Sequence, residues 1–265
     1  MATLGFIPIG SVLTFWFGFL LITLFTFKIG SFTFWQPFPK TSFQIQFTGD
    51  INTSIPAKVY ILDGLTAPQT AIDALHAVNK KVVCQVSVGT VVGGSVEYSV
   101  LTEDMIGKAA DKVANTYYVD IKNPSVLRIV EDRLDALVPK GCDAVLTKDA
   151  ENWGKDTGFS VTQEDQLRFN LWMVRAAHEL GLSIGLYDDQ DQIPDLVDSY
   201  DFAFSDQCYA KDECAKFLPF IEEGKALFNV EYTGNKDTVC AYANEMEVST
   251  VLKSTKLGSE YSACQ

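Results

Sequence analysis

Positive charge is scarce in this sequence. Its 21 lysine and arginine residues stand against 34 aspartate and glutamate residues, so the formal net charge is −13 at pH 7. Such a surface repels phosphate unless a basic stripe compensates, and the sequence contains no such stripe. The composition therefore excludes a nucleic-acid-binding protein and is compatible with neutral or cationic partners, including sugars.

The sequence also lacks the residue spacing of a metal site. None of its six cysteines forms a CxxC pair, and its two histidines, His76 and His178, lie far from the cysteines. A zinc site is therefore not predicted, and no other metal or cofactor is expected.

The cysteines fit an exported protein better than a metal site. Cys84 and Cys142 lie in or beside apolar, strand-like runs and are predicted to be buried free thiols. The residues Asn52-Thr53-Ser54 form a glycosylation sequon in a turn-like setting, which agrees with export. The remaining four cysteines are spaced to close two disulfides, Cys208 with Cys214 and Cys240 with Cys264.

No charged residue precedes Lys28 in the sequence. A hydrophobic run of this length can cross a bilayer as a helix, and it lacks the basic start and the small-residue cleavage site of a signal peptide. Residues 1–30 are therefore predicted to be a signal-anchor or transmembrane helix, with a cleaved signal peptide as the alternative. Lys28 alone would place the following domain in the cytosol. The cysteines and the sequon favour the other side, so the expected location is the cell surface or the secreted fraction.

A Gly-rich phosphate loop is absent after the first predicted strand, and this absence disfavours a doubly wound open sheet. Residues 31–265 instead form one predicted domain, in which about eight strands alternate with helix-like or loop segments. This alternation is typical of an α/β protein with a closed (β/α)₈ TIM barrel. The predicted strands cover residues 42–49, 58–63, 81–88, 117–121, a fifth strand beginning at 143, 183–189, 202–206 and 226–232.

Helices are predicted between most of these strands. Pro124 stands where a helix prefers its first residue. Thr162 and Asp165 form a capping pattern before the longest helix, which runs to Gly181. The other predicted helices begin after Pro68 and cover residues 101–114, 192–200, 212–223 and 237 to about 247.

Ionisable side chains end most of the predicted strands. The C-terminal strand ends of a (β/α)₈ barrel meet at one mouth, where such enzymes keep their chemistry. A loop carboxylate or a helix N-cap explains any single acid, but several acids at one mouth repel each other unless the cluster has a use. Two carboxylates without a metal suit glycoside hydrolysis, in which one acid protonates the leaving oxygen and the other attacks or activates water. The residues are Asp63, Lys148, Asp149, Glu151, Asp188, Asp189, Asp206 and Glu231.

Beyond this pattern, the sequence resembles glycoside hydrolase family 114, the endo-α-1,4-polygalactosaminidase type of TIM barrel. The resemblance covers residue 35 to about residue 240. It implies a secreted or surface-anchored protein that cleaves galactosamine-containing polysaccharide with two carboxylates and no cofactor. The matching stretches include WQPFPKTSFQIQF from Trp35, VDIKNPSVLRIVEDRLD from Val119, GCDAV from Gly141, GFSVTQEDQLRFNLWM from Gly158 and FAFSDQC from Phe202.

The resemblance also assigns site residues, with one large departure. After GCDAV the family usually reads Glu-Pro-Asp-Asn, and the position of its Asp, a proposed catalytic residue, is occupied here by Lys148. Asp206 stands where the family has a Glu and is the expected general acid/base, with Asp149 or Asp63 as the second carboxylate. Lys148 is expected to pair with Asp206 or Asp63. The expected substrate-binding residues are Gln46, Tyr60, Trp153, Tyr187, Asp188 and Glu231.

Three functions are compatible with these residues. The first is a glycosidase of this family with a rearranged site, acting on galactosamine-containing or related α-linked polysaccharide. The second is a cell-surface homologue that binds carbohydrate and has lost turnover, because Lys148 replaces a catalytic acid. The third makes Lys148 a Schiff-base lysine at a barrel strand end, but nothing else in the sequence supports carbonyl chemistry.

Overall fold

The computed structural model of the protein describes residues 34–110, 114–187 and 189–264. These residues belong to the unit Phe34–Gln265. Within these three ranges, no helix has the length and apolar character needed to span a bilayer. The predicted membrane segment at residues 1–30 and the predicted ligand residue Asp188 lie outside the described residues.

The strands alternate with helices along most of the chain. In chain order, the described strands are β1 (Phe43–Gln46), β2 (Val59–Asp63), β3 (Lys81–Ser87), β4 (Thr90–Val92), β5 (Ile106–Ala109), β6 (Thr116–Val119), β7 (Ala144–Lys148), β8 (Ser183–Tyr187), β9 (Phe202–Asp206), β10 (Leu227–Glu231) and β11 (Ser249–Leu252).

The helices of the described residues are mostly short. In chain order, they are α1 (Gln69–Ala77), α2 (Val96–Ser99), α3 (Pro124–Asp135), α4 (Leu137–Lys140), α5 (Gln163–Glu179), α6 (Ile193–Leu196), α7 (Leu218–Glu222) and α8 (Lys236–Glu245). Single 3₁₀ turns cover Glu103–Met105, Gln190–Gln192 and Cys214–Phe217.

Eight of the strands form a parallel sheet that is nearly closed into a barrel. Its ladders run in the order β1-β2-β3-β7-β8-β9-β10-β11, and the two end strands face each other. Because side chains alternate along a strand, one set fills the barrel and the other packs against the helices. The predicted (β/α)₈ barrel is thereby confirmed. The interior set includes Phe43, Val59, Leu146, Phe204 and Val230.

Gly185 makes room for a large ring inside the barrel. A Cβ atom added at Gly185 would lie 2.2 Å from the nearest atom of the Phe202 ring. Phe202 is completely buried, and its ring packs edge-on against Phe228 with the ring centroids 5.7 Å apart. The glycine therefore allows two phenylalanine rings from neighbouring strands to fill one layer of the core.

The sequence prediction placed one barrel strand wrongly. Residues 117–121 were expected to form the fourth barrel strand, but β6 lies in a separate antiparallel sheet with the order β4-β6-β5. Val119 of β6 packs with Val91 and Val126 in a small apolar cluster of its own, and β3 pairs directly with β7. The remaining barrel strand is β11, which the prediction missed because this four-residue stretch, STVL, carries little apolar periodicity.

The predicted helix at residues 101–114 is also wrong. A 3₁₀ turn and β5 occupy its described part, and Ile106 pairs with Val119 while Ala109 pairs with Tyr117. Gly107 lies so close to Thr157 that an added Cβ atom would be 2.1 Å from the Thr157 carbonyl oxygen. Tertiary pairing with β6 therefore outweighs the local helical pattern. Helices α1, α3 and α8, and α5 with its capping box at Thr162, confirm their predictions.

A buried arginine fastens this small sheet to the barrel. Arg133 of α3 is only 7% exposed, and its guanidinium donates to both carboxylate oxygens of Glu97 at 2.9 and 2.5 Å. It also donates to the carbonyls of Ser87 at 2.5 Å and Thr90 at 3.0 Å, on either side of the turn between β3 and β4. A bidentate, charge-assisted contact of this kind fixes orientation as well as position.

The C-terminal tail, residues 254–264, covers the seam between β1 and β11. The buried Lys253 ammonium donates to Gln44 Oε1 of β1 at 3.1 Å and to the Glu260 carbonyl of the tail at 2.5 Å. The tail also pairs with β11, because the Leu252 amide donates to the Ser262 carbonyl at 2.8 Å. The seam is therefore bridged by the tail and by one lysine.

Three disulfides are present among the described residues. The predicted pairs Cys208–Cys214 and Cys240–Cys264 are confirmed. The prediction that Cys84 and Cys142 are free thiols is wrong, because these two residues form a third disulfide. Cys84 faces the helices from β3, and Cys142 stands just before the neighbouring strand β7, so the fold brings together thiols that are far apart in sequence. Such a set of disulfides is typical of an oxidising compartment.

Candidate active site

The C-terminal ends of four barrel strands deliver polar side chains to the mouth. These are the last residues of β2, β7, β8 and β9, namely Asp63, Lys148, Tyr187 and Asp206. Three of them stand two positions after interior residues, namely Ile61, Leu146 and Phe204, so alternation turns them to the inner face.

The strand order sets the spacing of these groups around the mouth. Asp63 and Asp206 end strands that are four steps apart in the eight-stranded sheet, and Lys148 ends the strand halfway between them. Neighbouring strands are about 4.8 Å apart, so the Lys148 backbone lies roughly 10 Å along the sheet from either acid. An amine therefore projects between two carboxyl groups on opposite sides of the mouth.

Asp206 is the acid best placed to meet a ligand. Its Oδ1 atom is buried and has no hydrogen-bond partner within the described part of the chain. Tyr232 lies beside it, and the pKa of Tyr232 is raised by burial first and then by the negative charge of Asp206 and a hydrogen bond to it. Since buried polar atoms are nearly always paired, this oxygen distinguishes Asp206 from Asp63, whose Oδ1 atom is hydrogen-bonded.

Asp63 is engaged by its own loop. Its Oδ1 atom accepts from the amides of Leu65 at 3.0 Å and Thr66 at 2.7 Å, and from the Thr66 hydroxyl at 2.8 Å. These bonds shape the turn between β2 and α1, in the manner of an Asx turn. The structure therefore gives Asp63 a role in the loop, in addition to its place at the mouth.

Asp149 turns away from the barrel axis. It follows β7 in the left-handed region, with a φ of 59°. Its Oδ2 atom accepts from the Thr90 hydroxyl at 2.9 Å, at the start of the small antiparallel sheet. The carboxylate next to Lys148 in sequence is therefore held by a neighbouring element.

Lys148 stands at the mouth without a carboxylate partner among the described residues. The ion pairs of those residues, defined by an N–O distance of up to 4.0 Å, do not join it to Asp206 or Asp63. The expected pairing is therefore wrong. The physical reason is that β7 lies two strands away from β2, which ends in Asp63, and two strands away from β9, which ends in Asp206. The Lys148 carbonyl accepts from the Val88 amide at 2.9 Å, so its backbone is fixed in the sheet.

Two of the expected ligand residues are buried and bonded elsewhere. Gln46 is fully buried, and its side chain bonds to the carbonyls of Thr48 and Asp50 and to the amide of Asn52. Tyr60 is also fully buried, with its hydroxyl 2.9 Å from the Asn52 carbonyl. Both residues face the helix layer, because alternation places them one position away from interior residues. They shape the loop after β1 and do not reach the mouth.

Glu231 is likewise buried, at the end of β10. Its Oε1 atom accepts from the Tyr209 amide at 2.8 Å and from Asn229 Nδ2 at 3.0 Å. Tyr209 belongs to the loop that follows Asp206 and is closed by the disulfide between Cys208 and Cys214. Glu231 therefore holds the loop that follows Asp206 through its Oε1 atom, while its Oε2 atom has no hydrogen-bond partner among the described residues.

Two expected ligand residues do lie at the mouth. The Tyr187 ring packs edge-on against Phe204, with ring centroids 4.9 Å apart, at the inner end of β8. Trp153 lies half-exposed in the loop after β7, and its indole Nε1 donates to Asp189 Oδ1 at 2.9 Å. The sequence placed Asp189 among the acids at the strand ends, but its contact with Trp153 depends on how two loops meet and has no signal in the sequence. Asp188 lies outside the described residues.

Among the carboxyl groups described above, Asp189 has the most strongly shifted pKa. Burial raises its pKa to about 7, while hydrogen bonds from Trp153 and Asn170 act in the opposite direction.

As for metals, the residues that the structure describes contain no group of three or more His, Cys, Asp or Glu side chains able to hold an ion.

Comparison with known proteins agrees with this architecture. The model of glycoside-hydrolase family GH114 matches residues 28–265. The crystal structure of Aspergillus fumigatus Ega3 in complex with galactosamine is similar, with a TM-score of 0.81 and 29% identity over 87% of this chain and 97% of that chain. The glycoside hydrolase domain of PelA from Pseudomonas aeruginosa has a TM-score of 0.68 and 14% identity, over 83% and 97% of the two chains, and supports the fold alone. A comparison with curated proteins found no match.

Proposed function

Because the chain belongs to glycoside-hydrolase family GH114, we propose that it binds galactosamine-containing polysaccharide in the mouth of its barrel. Asp206 is the acid nearest to the bound sugar in this proposal. The observation that carries it is the buried Asp206 Oδ1 atom at the end of β9, which has no hydrogen-bond partner among the described residues. The likeness to Ega3, whose structure contains galactosamine, supports the choice of sugar. A net charge of −13 also favours a cationic amino sugar over an anionic one.

The site supports binding of the polysaccharide more directly than its hydrolysis. Hydrolysis of a glycosidic bond needs a second carboxylate across the cleft from the first. Of the two candidates, Asp63 is bonded to its own loop and Asp149 to Thr90. Lys148 occupies the position where the family has its proposed catalytic Asp. We therefore expect the native chain to cleave its ligand slowly, with Asp206 as general acid and without an efficient partner.

A carbohydrate-binding homologue without turnover is the second candidate. Lys148 favours it, because its ammonium has no carboxylate partner among the described residues, and a protonated amine at the mouth cannot act as nucleophile or base toward an acetal. Both candidates share the same ligand and differ only in chemistry, so one set of variants separates them.

The test combines a binding measurement with a cleavage assay on partly deacetylated poly-galactosamine. The full chain is compared with Lys148→Asp, which restores the acid, and with Lys148→Met, which removes the charge without supplying an acid. Cleavage by the Asp variant alone identifies the native protein as a binding homologue. Cleavage by the native chain that Asp206→Asn lowers by about 100-fold or more establishes a hydrolase with a rearranged site. Absence of binding by all variants refutes the proposal.

We also propose that the protein acts outside the cytosol, at the cell surface or as a secreted protein. The three disulfides support this location, because such bonds persist in oxidising compartments. The uncharged run before Lys28 supplies a segment able to direct export. Mass spectrometry of the protein isolated without reductant tests this: three intact disulfides are expected, and free thiols at these six positions would contradict export.

A further inference from the structure

A closed chain of hydrogen bonds links the loop after β7 to β8 through helix α5. Asp189 Oδ1 accepts from Trp153 Nε1 at 2.9 Å, and Asp189 Oδ2 accepts from Asn170 Nδ2 at 2.6 Å. Asn170 Oδ1 in turn accepts from Gln166 Nε2 at 3.0 Å. Gln166 Oε1 accepts from the backbone N–H of Asn152 at 2.7 Å. Asn152 directly precedes Trp153 in the sequence, so the circuit closes through the backbone.

The members of this circuit are buried, with one exception. Asp189, Asn170 and Gln166 are completely buried and Asn152 is 1% exposed, whereas Trp153 is half-exposed. Gln166 and Asn170 are four residues apart on α5, so they lie one above the other on the same face. The indole edge of Trp153 is thus tied to a buried network, while Trp153 itself is only partly buried, in the loop that follows β7.

The backbone at Asp189 is adapted to this contact. Asp189, two residues after the end of β8, adopts a left-handed φ of 58°, a conformation that aspartate tolerates better than most residues. This conformation places the carboxylate between α5 and the loop after β7. A residue held in the left-handed region, fully buried and charged, is retained only where its contacts compensate.

We propose that Asp189 is a positioning residue, which holds the Trp153 ring at the mouth as a platform for an amino-sugar unit of the polysaccharide. This inference rests on the proposed function, because the ligand is the same. Trp is the best side chain for contact with a cation over its face, and the ammonium of galactosamine supplies that cation. Asp189 itself does not touch the sugar. Its effect passes through the indole N–H.

The platform depends on the charge of Asp189. An ionised carboxylate accepts from both Trp153 and Asn170, but protonation turns one oxygen into a donor that faces an N–H group. One of the two bonds then breaks. The pKa of Asp189 is raised to about 7, mainly by burial and also by the charge of Glu151. The hydrogen bonds from Trp153 and Asn170 and the charge of Lys155, which is paired with Glu151 at 2.9 Å, act in the opposite direction. Tyr200, whose pKa is raised by burial and by Asp189, is the other titratable neighbour.

The first readout needs no ligand. The full chain has four tryptophans, so its indole ¹⁵N–¹H spectrum is simple, and Trp153→Phe identifies the Trp153 resonance. We expect this resonance to shift with a midpoint near pH 7 in the native chain and to lose that titration in Asp189→Asn. The Trp172 resonance is the internal control, because that ring stacks on Phe169 of α5 and not on this network.

The second readout is binding of poly-galactosamine at pH 6 and pH 8. We expect Asp189→Asn to weaken binding at pH 8 by about 10-fold, within the range of one lost cation–π contact. Trp153→Ala should weaken it by a similar factor, and the double variant should add little. The ratio of the Kd at pH 6 to the Kd at pH 8 should be larger for the native chain than for Asp189→Asn. In that variant, only the titration of the ligand still changes binding with pH.

The outcomes separate this inference from the proposed function. If Asp206→Asn impairs binding while Asp189→Asn and Trp153→Ala bind like the native chain, the positioning role is refuted and the proposed function stands. If no variant binds poly-galactosamine, the proposed function fails and the platform fails with it, even where the indole titrates. An indole resonance that does not change between pH 5.5 and 8.5 also overturns the positioning role, because the contact would then not depend on the charge of Asp189.

Discussion

Cys84 of β3 is disulfide-bonded to Cys142, two residues before β7, with their Cα atoms 5.9 Å apart. The two strands are neighbours in the barrel, but 58 residues of sequence separate the cysteines. That intervening segment contains the small antiparallel sheet and α3. The disulfide therefore closes a loop that runs from the middle of β3 to the start of β7 and contains the small sheet.

Removal of this disulfide should destabilise the protein more than removal of the shorter one. A loop of this length predicts a loss of about 4 kcal/mol in the free energy of unfolding for Cys84→Ala with Cys142→Ala. The bond between Cys208 and Cys214, which are six residues apart, predicts a loss of about 2 kcal/mol. Urea unfolding of the two double variants measures both values, and equal losses would contradict the loop-closure argument.

Asp189 should make stability depend on pH. Burial raises its pKa to about 7 from an ordinary value of 3.8, so between these values the folded state holds a proton that the unfolded state has released. The contribution of Asp189 to the free energy of unfolding is therefore full below pH 4 and is lost as pH rises through 7, at about 1.4 kcal/mol per pH unit at most.

Asp189→Asn removes this dependence. The stability of the variant relative to the native chain should therefore improve as pH rises from 4 to 7, even where the variant is the less stable protein throughout. Urea unfolding at several pH values measures the difference between the two chains. A difference that stays constant over this range would show that Asp189 titrates equally in the folded and unfolded states.

Gly185→Ala should overpack the barrel core. The added Cβ atom would lie 2.2 Å from the Phe202 ring, and Phe202 is completely buried. We expect a loss of about 1–3 kcal/mol in the free energy of unfolding. Adding Phe202→Leu should recover part of that loss, because the smaller side chain frees the space, whereas Phe202→Leu alone should be destabilising. If the losses in the free energy of unfolding of the two single variants simply added in the double variant, the contact between residue 185 and the Phe202 ring would be contradicted.

Lys253→Met should loosen the C-terminal tail. The ammonium is the donor to Gln44 Oε1 and to the carbonyls of Gly258 and Glu260, and burial lowers its pKa to about 8. Loss of this donor leaves acceptors unpaired, at roughly 2–4 kcal/mol. Hydrogen exchange should accelerate in residues 254–264 first. The exposed Lys256→Met is the matched control and should leave exchange unchanged.

Local patterns predicted the barrel well where each element carries its own signal. β2, β7 and β9 are apolar runs that end in a charge, and α5 begins with a capping box at Thr162. These features depend on neighbouring residues, so they can be read without knowledge of the fold. The acidic strand ends were visible for the same reason.

Other features depend on contacts between distant parts of the chain and were missed. β6 has the composition of a barrel strand, but its place in the small sheet depends on pairing with β4 and β5. The partnership of Cys84 with Cys142 requires knowing that β3 and β7 are neighbours. The role of Asp189 requires the packing of α5 against the loop after β7. In each case the decisive interaction is a tertiary contact, which cannot be predicted from neighbouring residues in the sequence.

The tail that bridges β1 and β11 also bears on self-association. A nearly closed sheet has two end strands, and exposed strand edges pair readily with other chains. Residues 254–264 cover that seam, and the disulfide from Cys264 to Cys240 of α8 holds them there. Reduction of this bond would leave the tail held only by Lys253 and by backbone hydrogen bonds, and would bring the two strand edges closer to exposure.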